Sequence, residues 1–193
     1  MNIEKLLKFK GNILVTGETG SGKSYWCEQF ALKREKLISR VITVDLAALS
    51  ESLVESELFG HSRGSFTGAN ARRVGLCELV GDGTLILDEI GELSLEAQKK
   101  LLTLLERKVF RPVGANHEIA FKGKVLAATN RNLMKMVKKG QFREDLFYRL
   151  NVFHHHITPF RKLSCEQKRI IIKELILKIM KFLLSVQTKI LRK

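Results

Sequence analysis

Gly17-Glu18-Thr19-Gly20-Ser21-Gly22-Lys23-Ser24 is the stretch that decides how this 193-residue chain is read. It matches G-x-x-x-x-G-K-[ST] and stands between a strand-like apolar run, Asn12–Thr16, and a helical stretch over Lys23–Lys36. Phosphate binding requires that placement, because the glycines let backbone N–H groups curl around phosphate oxygens and the helix N-terminus adds partial positive charge. Gly17, Glu18, Thr19, Gly20, Ser21 and Gly22 form the cradle. Lys23 is expected to reach the β- and γ-phosphates, and the Ser24 hydroxyl to ligate Mg²⁺. The plain alternative is a Gly-rich turn with a surface lysine, but a chance match to the full pattern arises in about one chain in a hundred.

Beyond the loop, short β-type runs alternate with helical stretches. Arg40–Asp45, Thr84–Asp88, Lys124–Thr129 and Asn151–Ile157 join Asn12–Thr16 as strands, most of them continuous apolar runs of the kind buried on both faces. They predict an α/β fold with a parallel sheet flanked by helices. A second helix is expected over Ser94–Lys108, with Ser94 as N-cap and Leu95, Leu101, Leu102, Leu104 and Leu105 as its apolar side. Gly60–Ala69 reads as a Gly-rich surface loop and Phe110–Lys122 as a hairpin excursion.

Two strands deliver polar residues at their carboxyl ends, where ligands sit in open α/β sheets. Leu85-Ile86-Leu87 ends in Asp88-Glu89, about 65 residues after the phosphate loop. Asp88 is expected to hold Mg²⁺ and Glu89 to polarise a water for attack on the γ-phosphate. Val125-Leu126-Ala127-Ala128-Thr129 ends in Asn130, a candidate γ-phosphate sensor. Alone, an acidic strand end or an Asn would be an ordinary solvated terminus. The combination with the phosphate loop favours the functional reading.

Composition narrows the rest. The 45% apolar and 28% charged content suits a globular chain able to bury roughly 70% of its unfolded surface. The formal charge of +14 suggests an anionic partner. It is uneven: residues 161–193 hold ten basic and two acidic residues, leaving +6 for the first 160. Cys27, Cys77 and Cys165 form no C-x-x-C pair, which predicts buried free thiols in a reducing cytoplasm. The first ten residues carry no secretory signal, and Ile170–Val186, broken by four charges, is not a credible membrane span. A cytoplasmic location is expected. His154-His155-His156 cannot all face one ion, since alternate strand side chains point to opposite faces, and they are read as structural. Trp26 is read as core.

Glu55-Ser56-Glu57-Leu58-Phe59-Gly60-His61 with Gly64-Ser65-Phe66-Thr67-Gly68-Ala69 resembles the ESELFGH…GAFTGA signature of bacterial enhancer-binding proteins, the AAA+ activators of sigma-54 RNA polymerase. Gly83–Ile90 and Phe142–Val152 resemble two further signatures of the same domain, and the resemblance runs in order from about Gly11 to Arg161. It implies a P-loop NTPase core of the AAA+ class over residues 1–160, a homo-oligomer, usually a hexameric ring, with ATP and Mg²⁺ bound between subunits. Arg143 and Arg149 match the arginine-finger positions, reaching the γ-phosphate of an adjacent protomer; the bland alternative is a surface ion pair with Glu144 or Asp145. Gly64, Ser65, Phe66, Thr67, Gly68 and Ala69 match the loop that engages the sigma-54 RNA polymerase holoenzyme, and the Arg111–Lys122 excursion resembles a second loop that moves with it. Ser65 stands where Ala is usual.

The chain also departs from the family pattern. Asp45 stands where an Asn usually couples nucleotide state to Glu89, which predicts two carboxylates repelling or sharing a proton and a weakened or altered coupling. After Thr158-Pro159-Phe160-Arg161-Lys162 neither the lid's sensor arginine motif nor a DNA-binding element is recognisable. Residues 161–193 are expected to form a basic helical tail, with one helix over Ile170–Leu184. This tail reads as a remnant of a truncated or atypical helical lid, or else as a membrane- or protein-binding tail. The expected function is an Mg²⁺-ATP-dependent ATPase that remodels sigma-54 RNA polymerase to activate transcription. The alternative is an ATP-binding, hydrolysis-deficient interaction module. A small P-loop kinase gives no reason for the Phe66 loop or the paired arginines.

Overall fold

The computed structural model describes residues 6–9, 11–35, 37–66, 69, 71–173, 176, 177 and 180. Thr67, Gly68 and most of the chain after residue 173 lie outside that set, as does Lys36, the expected end of the first helix. The chain divides into two units, Met1–Ile157 and Thr158–Lys193.

In the first unit, β1 (Ile13–Gly17) leads through the glycine-rich loop into α1 (Lys23–Glu35), then β2 (Val41–Asp45) and α2 (Glu51–Phe59). A small excursion of β3 (Gly60–His61), β4 (Arg73–Val74) and α3 (Leu76–Leu79) precedes β5 (Thr84–Asp88) and α4 (Leu95–Arg107). The hairpin β6 (Val109–Phe110) and β7 (Ile119–Ala120) comes next, followed by β8 (Lys124–Thr129), α5 (Leu133–Lys138), α6 (Glu144–Leu150) and β9 (Phe153–Ile157). Five strands form one parallel sheet in the order β2-β5-β8-β1-β9. All five expected strands are present, as an α/β layered core.

Burial on both faces explains why these strands are unbroken apolar runs. Leu14, Val44, Leu85, Leu87, Val125 and Ala127 face one core with α2, α4 and α6, while Ile13, Val15, Ile86, Leu126 and Ala128 face the other with Cys27, Phe30 and Ala31 of α1. Each fully buried Leu or Ile removes enough apolar surface from water for about 2 kcal/mol. Ser94 caps α4 by accepting from Ala97 N at 3.3 Å. That helix buries Ala97, Gln98, Leu101, Leu104 and Leu105, whereas Leu95, expected on its apolar side, is exposed. Leu95 is the first residue of the helix. Trp26 is only partly buried: it stacks on Phe30 at 5.1 Å and against His155 at 4.4 Å.

The Gly-rich loop begins later than expected, because Gly60 and His61 pair with Val74 and Arg73 as β3. Gly60 has φ 77° and its Cβ position lies 2.6 Å from Arg73 O, so only glycine fits. The second excursion is the expected antiparallel hairpin, Val109 opposite Ala120 and Phe110 opposite Ile119.

In the second unit, Ser164 and Gln167 form a reciprocal capping box. Ser164 Oγ accepts from Gln167 N at 3.2 Å, and Gln167 Oε1 accepts from Ser164 N at 3.0 Å. Residues 165–173 are helical, so the helix starts five residues earlier than the apolar run suggests, because the cap and not hydrophobicity sets the first turn. Ile170, Ile171 and Ile172 are all exposed on it. Among the described residues no helix is long and apolar enough to cross a membrane.

Candidate functional site

The loop after β1 is open on its outer side. Gly20 and Gly22 take φ 74° and 90°, with no atom within 4 Å of where a Cβ would stand. Glycine is needed there for backbone conformation and not for space. Lys23, almost wholly buried, folds its ammonium back to donate to Glu18 O at 3.2 Å and lies 3.8 Å from Glu89 Oε1. Ser24 Oγ donates to Asp88 Oδ2 at 2.5 Å. Ser21 Oγ is buried in the loop without a hydrogen-bond partner. A buried orphan hydroxyl is costly, and a phosphate oxygen is the acceptor such a loop is shaped to receive.

The adjacent strand ends complete the group. β5 carries Asp88 and Glu89, and Glu89 sits in the left-handed region at φ 53°, ψ 50°, a conformation that costs a non-glycine residue about 1 kcal/mol. Three bonds hold it there or hold its carboxylate. Glu89 N donates to Asp88 Oδ1 at 3.0 Å, and Glu89 Oε2 accepts from Asn130 N at 3.1 Å and Thr129 Oγ1 at 3.4 Å. Asn130 Nδ2 then donates to Thr19 Oγ1 at 2.8 Å. Lys23, Ser24, Asp88, Glu89, Asn130 and Thr19 are thus joined in one connected set. Strain held at such a convergence is characteristic of functional sites.

The two arginines are held elsewhere. Arg143 stands at the start of α6 without capping it by its side chain, and forms a two-pronged pair with Asp145, Nε to Oδ1 at 3.0 Å and Nη2 to Oδ2 at 2.7 Å. The hydrogen bonds from Arg143 hold the Asp145 carboxyl below its usual range, and the same contact raises the guanidinium pKa. Arg149 Nε donates to Glu106 at 3.0 Å. Arg149 is exposed and Arg143 half-buried with its guanidinium at the surface, and among the described residues no bond joins either to the phosphate loop of its own chain.

Asp45 does not share partners with Glu89. Its Oδ1 accepts from Ala47 N at 3.0 Å, capping the short turn Leu46–Ala48, while Glu89 is taken by Thr129 and Asn130. An Asp at the entrance to a turn is satisfied locally, so the expected facing of two carboxylates gives way to separate bonding.

Of the partner-facing loop, Gly64, Ser65, Phe66 and Ala69 are described. Phe66 is 42% exposed and meets the His61 ring edge-on at 5.0 Å. The two surface loops are bonded to each other: Ser62 N donates to Val113 O and Val113 N to Gly60 O, both at 2.9 Å. Gly114 lies so close to Ser65 that a Cβ there would stand 2.4 Å from Ser65 Cβ.

A family model, the sigma-54 interaction domain, matches residues 1–156. The chain belongs to this family. It is 46% identical over 157 residues to the regulatory protein AtoC of Escherichia coli, covering 81% of this chain and 34% of that protein. It is 43% identical over 164 residues to the Nif-specific regulatory protein of Azotobacter vinelandii, covering 85% and 31%. The crystal structure of NtrX from Brucella abortus superimposes with a TM-score of 0.73 at 30% identity over 80% of this chain and 35% of that one, and NtrX in complex with ATP with 0.72. The sigma-54 interaction domain here is an AAA+ P-loop core, and the chain spans about a third of the length of the relatives it matches.

Three contributors to this domain's site were missed by sequence reasoning. Thr129 binds Glu89, Arg131 ties Gly91 O (3.2 Å) and Glu92 (2.5 Å) to the end of β8, and the buried Gln98 accepts from Arg143 N at 2.8 Å while its amide donates to Leu93 O and Gln141 O. Thr129 and Arg131 flank Asn130 and were within reach of the strand-end argument. Gln98 sits in an amphipathic helix with no signal beyond being polar at a core position.

Proposed function

We propose that this chain is the Mg²⁺-ATP-hydrolysing module of a sigma-54 activator, which uses turnover to work the Gly64–Ala69 loop against the sigma-54 RNA polymerase holoenzyme and so activate transcription. The observation that carries the reading is the connected set Thr19, Asn130, Glu89 and Lys23 around the Ser24–Asp88 contact. NtrX, similar in fold, is solved with ADP and with ATP, which supports nucleotide as the ligand of this loop.

The donor set fits Mg²⁺, because Ser24 and Asp88 offer hard oxygen ligands already brought together. These two would hold the ion, which when bound neutralises charge developing on the β- and γ-phosphate oxygens. Lys23, resting against Glu18 O and Glu89, exchanges those contacts for phosphate. Glu89 accepts a proton from the attacking water as its oxygen bonds to the γ-phosphorus and the bond to the bridging oxygen breaks, leaving ADP and phosphate. Asn130 orients the γ-phosphate side of the site. Arg143 and Arg149 act on the site of a neighbouring protomer in a homo-oligomeric, hexameric ring, leaving Asp145 and Glu106. The ATPase core is residues 1–160, with 161–193 a basic tail in the place of the lid, and the protein works in the cytoplasm.

The test is phosphate release by the full chain under single-turnover conditions, with its size measured with and without nucleotide. Hydrolysis with assembly is expected, abolished with loss of ATP binding in Lys23→Ala and with binding spared in Glu89→Ala. A monomer that binds ATP and never hydrolyses it would establish the interaction module instead.

A further inference from the structure

The edge strand β9 carries three consecutive histidines, and the pleat separates them. His155 turns to the α1 side, against Trp26. His154 and His156 share the opposite face, are both exposed, and converge on one atom of the neighbouring strand: Thr16 Oγ1 lies 2.7 Å from His154 Nε2 and 3.1 Å from His156 Nδ1. The register Leu14 to His154 and Thr16 to His156 makes that convergence a property of the backbone pairing. A hydroxyl has one proton, so Thr16 donates to one ring and accepts from the other, and two imidazole nitrogens lie within hydrogen-bond reach of a single point.

We propose that His154 and His156 form a two-imidazole chelate for a borderline divalent transition-metal ion such as Zn²⁺ or Ni²⁺, seated at the shared contact with Thr16. Imidazole nitrogens select such ions over Mg²⁺ or Ca²⁺, which take oxygen ligands. Metal–nitrogen bonds of about 2.0–2.1 Å require the two nitrogens to close on a centre, a ring rotation that exposed side chains on one strand face permit. Thr16 supplies an oxygen beside the centre, and water completes the coordination. Among the described residues no third His, Cys, Asp or Glu joins the pair, so the site is open and exchangeable and not a structural zinc cage. It lies on β1 one residue before the phosphate loop, and a bound ion fastens the edge strand to the strand that feeds that loop.

Titration calorimetry of the full chain with ZnCl₂, in Mg²⁺-free and nucleotide-free buffer, tests this. One equivalent is expected to bind. His154→Asn and His156→Asn should each weaken binding at least about tenfold, while His155→Asn retains it; Thr16→Val, which removes the oriented oxygen, should cost about tenfold. As a measurement on the unaltered chain, Zn²⁺ should protect His154 and His156, but not His155 or His117, from diethylpyrocarbonate, read by mass spectrometry. The proposal is overturned by absence of saturable binding, by binding that survives His154→Asn/His156→Asn or is lost instead in Cys165→Ser, or by protection of other histidines.

Discussion

Asn130 Nδ2 donates a 2.8 Å hydrogen bond to Thr19 Oγ1, joining the end of β8 to the phosphate loop that follows β1. Because Asn130 N also donates to Glu89 Oε2, one residue touches both the loop and the catalytic carboxylate of the proposed reaction. Asn130→Ala is therefore expected to lower kcat by about 10²-fold, the scale of removing one oriented donor, with ATP affinity nearly unchanged. Steady-state phosphate release beside equilibrium ATP binding checks this. Equal loss of both would assign Asn130 to loop structure alone.

Asp45 offers a sharper comparison, since it caps a turn and stands in register with Asp88. Asp45→Asn keeps an oxygen for Ala47 N and adds an N–H₂ donor toward the acidic strand end, so thermal stability should hold while ATPase rate rises, by at most about tenfold for one new hydrogen bond. Asp45→Ala should lose the cap and lower stability by about 1 kcal/mol. Melting curves and phosphate release on both variants separate the two effects. An unchanged rate in Asp45→Asn would remove residue 45 from the coupling.

The outward placement of Arg143 makes its proposed action in trans testable by mixing. Arg143→Ala should lose about 10³-fold in kcat, the scale of an arginine finger, with an unshifted melting temperature, because its pair with Asp145 is exposed. An Arg143→Ala chain still carries Glu89, and a Glu89→Gln chain still carries Arg143. Activity should reappear when the two inactive chains are mixed. A mixture as inactive as its components argues for action within one chain or for none.

The cysteines differ by environment. Burial pushes the Cys27 and Cys77 thiols far above the usual thiol range, with the nearby Asp88 adding to the rise at Cys27, whereas Cys165 is exposed. Thiolate is the reactive form, so a disulfide reagent at neutral pH should titrate one thiol quickly and the other two only on unfolding. Cys165→Ser should abolish the fast phase. A fast second thiol would show that one of the two cores opens readily.

Much of this molecule could be read along the chain. The runs Ile13–Gly17, Thr84–Asp88 and Lys124–Thr129 are apolar at successive positions because both faces of the sheet are covered, and that pattern is local. The glycine-rich loop is legible for the same reason: its pattern is contiguous, and Gly20 and Gly22 act through their own backbone at the mouth of the helix they precede. Ser94 announces its helix from three residues away. The short helices α2, α3, α5 and α6 were not resolved from the sequence, since each is brief and takes its stability from tertiary packing.

What the sequence by itself determined is the order of the five sheet strands and the two longer helices, the two-sided core and the residues proposed to bind phosphate. Only the tertiary structure decided which of them meet. Thr129 reaches Glu89 across 40 residues, Arg143 reaches Gln98 across 45, and Asn130 reaches Thr19 across 111. The first and third follow from the strand order β2-β5-β8-β1-β9, which brings β8 between β5 and β1, and the second from the packing of α4 against the start of α6. The same order lays His154 and His156 beside Thr16, where a row of three histidines had shown only that no single ion could take them all. Strand adjacency is set by how whole faces bury together, and no local periodicity carries it.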